Sequence, residues 1–339
     1  MQVVANFVTS SKAMPDRFQK QIEVAVVVPC YNVEAYLERS LDSVLSQTYR
    51  DFCFYAVDDG STDGTLQVLE KYADRGVCVH QVHAGQAAAR NHAIRISDSP
   101  FVAFLDADDE WLPTKLERQI AWLKQNPSVA MICSGCAPGE GHVIGRYSVG
   151  PTNLPKSGRL FEQLLFDCNV FTPTVVVRRN CLEEVGLFDE SLAVSEDFNL
   201  WLRIAARSQI AILPEVLAIR HARPKSLSLG TNVEVRLFSA IAALENVGHV
   251  CLGLSPREKR ALRRALAERI YLYGSYLLST GARAVSRQKL LSALRLQLSH
   301  SRALVKLCLS FLPTGVSSSF MEMIQKLRLL LRSVKSARV

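Results

Sequence analysis

Apolar residues recur with two different periods between residue 22 and about residue 220. Short runs of β-branched and apolar residues, typical of strands buried on both faces, alternate with segments whose apolar residues lie at helical spacing. The predicted strands are 24–28, 52–57, 77–82, 101–105, 129–133, 175–177, 210–213 and 216–219, and the predicted helices are 33–45, 66–72, 87–96, 113–126, 180–185 and 198–206. This alternation predicts an α/β fold with an open, mostly parallel sheet flanked by helices.

Two stretches depart from the alternation. Residues 135–169 are expected to be loop-like, and nearly everything after Asn232 has a helical pattern. The chain is therefore predicted to consist of a lead-in (1–21), an α/β domain (22–231) and a basic helical C-terminal region (232–339).

Charge is distributed unevenly along the 339 residues. The net charge of +8 combines 22 Lys/Arg and 27 Asp/Glu before Asn232 with 18 Lys/Arg and 5 Asp/Glu from that residue onward. A mildly acidic front joined to a strongly basic tail indicates that the tail meets an anionic partner. The acidic front and the lack of a recognised nucleic-acid module argue against nucleic acid as that partner.

Location and redox state are constrained by what the sequence lacks. No apolar run is long enough to span a bilayer, and the first residues have no signal-peptide core. The nine cysteines are scattered, as expected of reduced thiols, and the lone pair Cys133 and Cys136 has no second ligand pair for zinc. The expected compartment is the cytoplasm, with peripheral attachment to the inner face of the cell membrane left open.

Polar clusters follow three of the predicted strands directly. They are Pro29-Cys30-Tyr31-Asn32, Asp58-Asp59-Gly60-Ser61 and Asp106-Ala107-Asp108-Asp109. Because ligands of open α/β sheets bind outside the carboxyl ends of the strands, these clusters are expected to converge there. Three crowded carboxylates repel one another, and a divalent cation would explain them, although an acidic turn that caps the next helix is the open alternative.

Six motifs occur in an order that identifies a family. They are Val26-Val27-Val28-Pro29-Cys30-Tyr31-Asn32, Ser46-Gln47-Thr48-Tyr49, Asp58-Asp59-Gly60-Ser61-Thr62-Asp63-Gly64-Thr65, Ala89-Arg90-Asn91, Phe104-Leu105-Asp106-Ala107-Asp108-Asp109 and Glu196-Asp197-Phe198-Asn199-Leu200-Trp201-Leu202-Arg203. Residues 22–229 thereby resemble the family 2 inverting glycosyltransferases. The resemblance implies a GT-A fold, which has a Rossmann-like sheet, and an enzyme that uses a nucleotide-diphosphate sugar.

The resemblance implies a donor site at the first clusters. Pro29 and Tyr31 are expected to line the nucleotide-sugar site, with the Tyr31 ring stacked on the nucleobase. Asp59 is expected to accept the imide proton of uracil, so that a UDP-sugar is the expected donor. Arg90 is expected to pair with phosphate oxygens and Asp106 to hold the ribose. From the residues alone, packing for Tyr31, turn and cap roles for Asp58 and Ser61, and a surface charge for Arg90 stay open.

The resemblance also implies a metal and a base. Asp108, with Asp109 as a second candidate, is expected to bind Mg²⁺ or Mn²⁺. Asp197 is the expected general base and Glu196 its neighbour, although the helix dipole alone would favour two acids there. Near the end of the domain the family often shows Arg-x-His-x-x-Ser-Leu-Ser, but Arg223 stands at the His position, so that either His221 takes that role or Arg223 contacts the diphosphate.

The C-terminal segment has an amphipathic pattern. Its apolar positions are Phe320, Met323, Ile324, Leu327, Leu330, Leu331 and Val334, and basic residues lie on or flank the other face. This favours an interfacial helix on an anionic membrane, while packing on the catalytic domain or in an oligomer is the open alternative. Basic residues within 257–269 are candidates to meet phosphates of a lipid-linked acceptor or of a bilayer.

The whole pattern predicts an inverting glycosyltransferase. The expected reaction moves a sugar from the donor to a hydroxyl of a glycan or lipid-linked acceptor in cell-surface polysaccharide synthesis, by a metal-assisted single displacement. A dehydrogenase would need a glycine-rich loop after the first strand, and a nucleotidyltransferase would normally need one that is also basic; neither is present. A non-catalytic nucleotide-sugar-binding protein with a membrane- or partner-binding tail is the remaining alternative.

Overall fold

The computed structural model of the protein describes residues 22–139, 157–166, 168, 170–221 and 232–312. Its strands are β1 (Val24–Cys30), β2 (Phe52–Asp58), β3 (Val77–His80), β4 (Phe101–Phe104), β5 (Glu110–Trp111), β6 (Val129–Pro138), β7 (Ser157–Gly158), β8 (Val176–Arg178) and β9 (Gln209–Arg220). Its helices are α1 (Glu34–Leu45), α2 (Thr65–Glu70), α3 (Gln86–Arg95), α4 (Lys115–Gln125), α5 (Phe161–Phe166), α6 (Arg179–Val185), α7 (Glu196–Arg207), α8 (Val233–Val250), α9 (Pro256–Ser279), α10 (Arg283–Leu296) and α11 (Ser301–Leu309).

One mixed sheet forms the centre of the fold. Its strand order is β3-β2-β1-β4-β8-β6-β9-β5, and β7 pairs with β9. Strands β1 to β4, β6 and β9 share one direction, whereas β5, β7 and β8 are antiparallel to their neighbours. The predicted α/β fold with a mostly parallel sheet is confirmed.

The first strand and helix show why the pattern predicts this fold. Every residue of β1 is buried, because helices cover both faces of the sheet and β1 lies between β2 and β4. On α1, Leu37, Leu41 and Val44 are buried at spacings of four and three residues. Asn32, with a positive φ of 50°, lies in the turn that joins the strand to the helix. The polar motif after β1 is therefore held at the carboxyl edge of the sheet.

Gly60 makes the tight turn after β2 possible. Its φ is +73°, a region that disfavours other residues, and a Cβ there would lie 2.8 Å from the backbone nitrogen of His83. The close approach brings the loop after β3 against the loop after β2. Two segments that the sequence separates by more than twenty residues thus form one wall of the sheet edge.

The loop-like interpretation of residues 135–169 is partly wrong. Strand β6 continues to Pro138, and helix α5 lies within the same stretch. The two strands predicted at 210–213 and 216–219 are one strand, β9. Register shifts beside Cys133 and Gly135 let β6 and β9 stay paired across residues that break the apolar pattern, as bulges do.

The helical region shares part of its core with the sheet domain. Asn199 of α7 donates to the carbonyl oxygen of Ala243 on α8 at 3.0 Å. Leu244 and Leu262 belong to the same apolar cluster as the sheet, whereas Leu290 belongs to a separate cluster among the later helices. Among the described helices, none is long and apolar enough to cross a bilayer. The lead-in 1–21, the boundary at 231 and the amphipathic segment 320–334 lie outside the described residues.

Candidate active site

A cavity of about 280 Å³ opens beside the carboxyl ends of β4 and β9. Polar and charged side chains from six separate segments line it. They include Gln86, Arg90, Asp106, Asp108, Asp109, Thr172, Glu196, Asp197, Arg220, His221 and Arg236. The segments after β4 and before α7, both predicted to carry chemistry, therefore meet in one place. Charged groups of both signs face a space large enough for a sugar and its phosphates.

Arg90 joins the two acidic motifs. Its guanidinium donates to Asp106 Oδ1 at 2.7 Å and to Glu196 Oε1 at 2.6 Å, and the side chain is only 2% exposed. Gln86, one turn earlier on α3, donates to the same oxygen of Asp106 at 3.3 Å. Fork-shaped pairing of this kind fixes both carboxylates in orientation. Arg90 thus links the carboxylates of Asp106 and Glu196, which lie 90 residues apart in the chain.

The acidic turn after β4 presents its three carboxylates differently. Asp109 is buried, its backbone nitrogen donates to the Asp106 carbonyl oxygen at 2.9 Å, and its Oδ1 accepts from the His221 backbone nitrogen at 2.9 Å. Burial, Asp108 and Asp106 together raise the pKa of Asp109 well above its usual value. Asp106 and Asp108 are half-buried at the cavity.

This arrangement fits a divalent cation by its chemistry. Burial is the main cause of the raised pKa of Asp109, and repulsion by Asp108 and Asp106 adds to it; a bound cation would relieve this repulsion. Oxygen donors of this type are the ones that Mg²⁺ and Mn²⁺ prefer. The described residues contain no cluster of three protein groups placed to hold a metal by themselves, so the remaining ligands would come from phosphate or water.

Glu196 and Asp197 begin helix α7 and line the same cavity. Ser195, immediately before them, has a left-handed backbone with φ of 68°, a strained conformation for a serine. Asp197 is half-buried, and its Oδ2 accepts from Thr172 Oγ1 at 3.2 Å. Glu196 is buried; burial and the neighbouring Asp197 raise its pKa to about 7, although Arg90 acts to lower it.

The raised pKa of Glu196 has a consequence for stability. Between its ordinary value of 4.5 and about 7, the folded protein binds a proton that the unfolded chain releases, so rising pH through this window lowers the free energy of unfolding. In Glu196→Gln, we expect the decrease in the free energy of unfolding between pH 4.5 and about 7 to be smaller by roughly 1–3 kcal/mol. Urea unfolding at these two pH values measures the difference. The exposed Glu183→Gln is the control, and an unchanged pH slope in Glu196→Gln would contradict the expectation.

Tyr31 and Asp59 lie farther along the same sheet edge. The Tyr31 ring stacks on His83 with centroids 4.3 Å apart and is 42% exposed. The buried Asp59 carboxylate accepts from the backbone nitrogens of Ala84 and Gly85, both at 2.9 Å, and from the Gln81 side chain at 2.7 Å. Asp59 therefore holds the loop after β3 in place.

Comparison with known proteins decides the family. The sequence profile of glycosyl transferase family 2 matches residues 25–186. The UDP-Glc:alpha-D-GlcNAc-diphosphoundecaprenol beta-1,3-glucosyltransferase WfgD of Escherichia coli is 30% identical over 192 residues, which cover 56% of this chain and 72% of WfgD. This chain belongs to glycosyl transferase family 2. The predicted family and the prediction of a glycosyltransferase are confirmed.

Other glycosyltransferases show how far the likeness extends. A Rickettsia bellii (strain RML369-C) protein described as an uncharacterized glycosyltransferase is 30% identical over 225 residues, 63% of this chain and 32% of that protein. The chain thus spans about a third of the length of that relative. The crystal structure of S. aureus TarS 1-349 in complex with UDP-GlcNAc matches 88% of this chain and 92% of TarS 1-349, with a TM-score of 0.57 and 20% identity. This likeness confirms the GT-A fold.

Several motif residues of this glycosyltransferase form its scaffold. Buried Gln47 donates to the Leu112 carbonyl oxygen at 2.8 Å and accepts from the Leu116 nitrogen at 3.0 Å, which fixes the start of α4. Asn91 exchanges hydrogen bonds with the backbone of Phe188. Arg203 donates to the carbonyl oxygens at the end of α6, including that of Val185 at 2.7 Å. These contacts fix the positions of the segments that flank the acidic motifs.

Other lining residues of the glycosyltransferase site were not predicted. Gln86, Thr172 and Arg236 face the cavity from α3, the turn before β8 and the start of α8. No local pattern marks them, because isolated Gln, Thr and Arg residues are common on any surface. His221 lines the cavity and bonds Glu110 Oε1 through Nε2 at 2.6 Å, while Arg223 lies outside the described residues.

Proposed function

We propose that this family 2 glycosyltransferase moves a sugar from a nucleotide-diphosphate sugar, a UDP-sugar, to an acceptor hydroxyl with inversion of the anomeric carbon. One observation carries the proposal. The acidic turn ending in Asp108 and Asp109 and the acid pair Glu196 and Asp197 line one cavity, and Arg90 bridges Asp106 of the turn to Glu196 of the pair. A donor's diphosphate on one wall and a proton acceptor on the other are what a single displacement requires.

The nucleoside end of the donor is assigned to Tyr31 and Asp59. His83 covers one face of the Tyr31 ring, and the exposed part of the ring offers an aromatic surface to a base. Pro29 is the next-to-last residue of the buried strand β1, two residues before Tyr31. Asp59 anchors the adjoining loop, and Asp106, held by Arg90 and Gln86, takes the ribose side. The base, ribose and diphosphate then lie in sequence along one edge of the sheet.

Asp108 and Asp109 would hold Mg²⁺ or Mn²⁺. Their carboxylate oxygens support this assignment, as does the crowding of Asp109 by Asp106 and Asp108, which together with burial raises the pKa of Asp109. When bound, the ion neutralises charge on the nucleoside diphosphate as it leaves. Of the two, Asp108 is the more accessible to solvent, whereas Asp109 already accepts a backbone hydrogen bond from His221.

Asp197 is assigned as the general base. It takes the proton of the acceptor hydroxyl as that oxygen bonds to the anomeric carbon, and the bond from this carbon to the phosphate oxygen breaks on the opposite side. Thr172 orients the Asp197 carboxylate through its 3.2 Å hydrogen bond. Arg90 binds Glu196, which keeps the second acid from turning into the space that the acceptor needs.

The acceptor is assigned as a glycan or a lipid-linked sugar in cell-surface polysaccharide synthesis. WfgD, by its name, acts on a diphosphoundecaprenol-linked sugar, which supports the assignment by similarity. Such an acceptor would place the enzyme at the inner face of the cell membrane.

The stereochemistry of the product tests the mechanism directly. With UDP-glucose or UDP-GlcNAc as an α-linked donor and a soluble acceptor sugar, proton magnetic resonance of the first product should show a β linkage. A retained α linkage would overturn the single displacement and leave the family assignment untouched.

Loss of one metal-binding carboxylate is expected to weaken donor binding. Titration calorimetry of UDP, GDP and dTDP with Mn²⁺ should show preferred binding of UDP, and Asp108→Asn should weaken it about tenfold or more because an anionic ligand is lost. Asp74→Asn, a change of the same kind at a side chain 80% exposed outside the cavity, is the control. Binding of UDP that is equally tight with and without Mn²⁺ in the unaltered protein would contradict the metal assignment.

A further inference from the structure

Helix α11 turns its apolar face outward. Leu304, Val305, Cys308, Phe311 and Leu312, which follow helical spacing from the helix into the turn after it, are all exposed. Ala303, Leu309 and Ser310 are buried on the other side, where the helix meets the core of the helical region. A surface helix normally buries its large apolar side chains and exposes its polar ones. Helix α11 buries Leu309 but leaves these five other apolar residues on the surface.

The segment that carries this face is strongly basic, although Arg302 within it pairs with Glu268. Residues 283–312 contain six Lys/Arg and no Asp or Glu. Arg287 lies over the Phe311 ring at 4.2 Å and donates to the Ser310 carbonyl oxygen at 2.7 Å, while Arg283 donates to the Leu312 carbonyl oxygen. Cations thus border the C-terminal end of the apolar face and are anchored beside it.

We propose that this face, Leu304 to Leu312 with Arg283 and Arg287, lies on an anionic lipid bilayer. An apolar strip bordered by cations is suited to the boundary between acyl chains and anionic head groups. The proposal extends the proposed function by naming a lipid surface as a partner, and it does not depend on the catalytic assignments.

Charge complementarity favours lipid over the other occupants. The 27 residues after Leu312 carry five Lys/Arg and one Glu, so that this segment has the same sign as the face it would cover. A second copy of the chain would likewise bring a basic segment against one of the same sign. An anionic bilayer satisfies both the apolar and the basic parts of the surface.

Co-sedimentation with vesicles tests the proposal on the full chain. Phosphatidylcholine vesicles containing phosphatidylglycerol should bind the unaltered protein, and vesicles of phosphatidylcholine alone should not. Leu304→Glu should weaken binding about tenfold or more, because it places a carboxylate among anionic head groups. Ile96→Glu, the same type of change at a residue with similar exposure on the sheet domain, should bind like the unaltered protein.

Each other outcome has a defined meaning. Equal binding by Leu304→Glu and Ile96→Glu would overturn the proposal. A dimer in size-exclusion chromatography that Leu304→Glu dissociates, without binding of the unaltered protein to vesicles, would overturn it in favour of a second copy. A lower melting temperature of Leu304→Glu than of Ile96→Glu would indicate that another part of the chain covers the face, which would also overturn the proposal. Transfer to a soluble acceptor should be the same in both variants, which separates failure of this proposal from failure of the proposed function.

Discussion

Asp197→Asn is expected to lower the rate of transfer about 10²–10⁴-fold, the usual contribution of a positioned general base. An amide of nearly the same shape keeps the hydrogen bond from Thr172 but cannot accept the proton of the acceptor hydroxyl. UDP binding measured by calorimetry should be unchanged, because Asp197 is assigned to the acceptor hydroxyl and its side-chain partner is Thr172 rather than a residue assigned to the donor. The measurement is the initial rate with UDP-sugar at saturating acceptor.

Glu196→Gln distinguishes the two acids of the pair. Glu196 is buried and bound by Arg90, so its loss should disturb the arrangement of the site without removing the proton acceptor. The exposed Asp74→Asn controls for loss of a negative charge outside the cavity. Full transfer activity in Asp197→Asn, together with loss in Glu196→Gln, would move the role of base to Glu196.

Arg90→Met is expected to lower the free energy of unfolding by about 3–5 kcal/mol, because it leaves partly and fully buried carboxylates without their cation. Asp106 and Glu196 both bind this guanidinium, and the pKa of Glu196 should rise further when the lowering effect of Arg90 is lost. Urea unfolding near neutral pH measures the loss. Arg90→Lys should be intermediate, because an ammonium group retains the charge but not the two-pronged geometry.

A matched control lies on the same helix. Arg95, near the end of α3, pairs with Glu190 at 3.1 Å, but its side chain is 59% exposed. Arg95→Met should therefore change stability by about 1 kcal/mol or less. A loss in Arg90→Met no greater than that in Arg95→Met would show that the buried bridge contributes little and would remove its proposed role in arranging the site.

The prediction of the fold succeeded where one element decides its own pattern. Strand β1 is apolar at nearly every position because it is covered on both faces, and α1 repeats its apolar residues at helical spacing. The prediction was partly wrong where the structure of a segment depends on a neighbouring strand. Ser134 to Pro138 does not look like a buried strand, yet these residues continue β6 because β9 lies beside them and bulges absorb the mismatch.

For the candidate site, too, the sequence predicted some features and left others to the tertiary structure. Each acidic cluster could be placed at the carboxyl end of its strand or the start of its helix from local pattern alone. The sequence could not predict whether Arg90 binds a phosphate or a carboxylate. Its partners Asp106 and Glu196 lie 16 and 106 residues away along the chain. Asp59 and Asp109 likewise have partners that the sequence does not bring near them.

The sequence by itself determined the family, the alternation of strands and helices, and which acidic motifs lie at the sheet edge, because each depends on residue type and spacing within a few turns of chain. Only the tertiary structure decided that Gln47, Asn91 and Arg203 serve the scaffold, that Arg90 bridges two carboxylates, and that α11 exposes its apolar face. These features depend on which distant segments contact one another. Burial and pairing of charges change the chemistry of a side chain, and the local sequence does not reveal either of them.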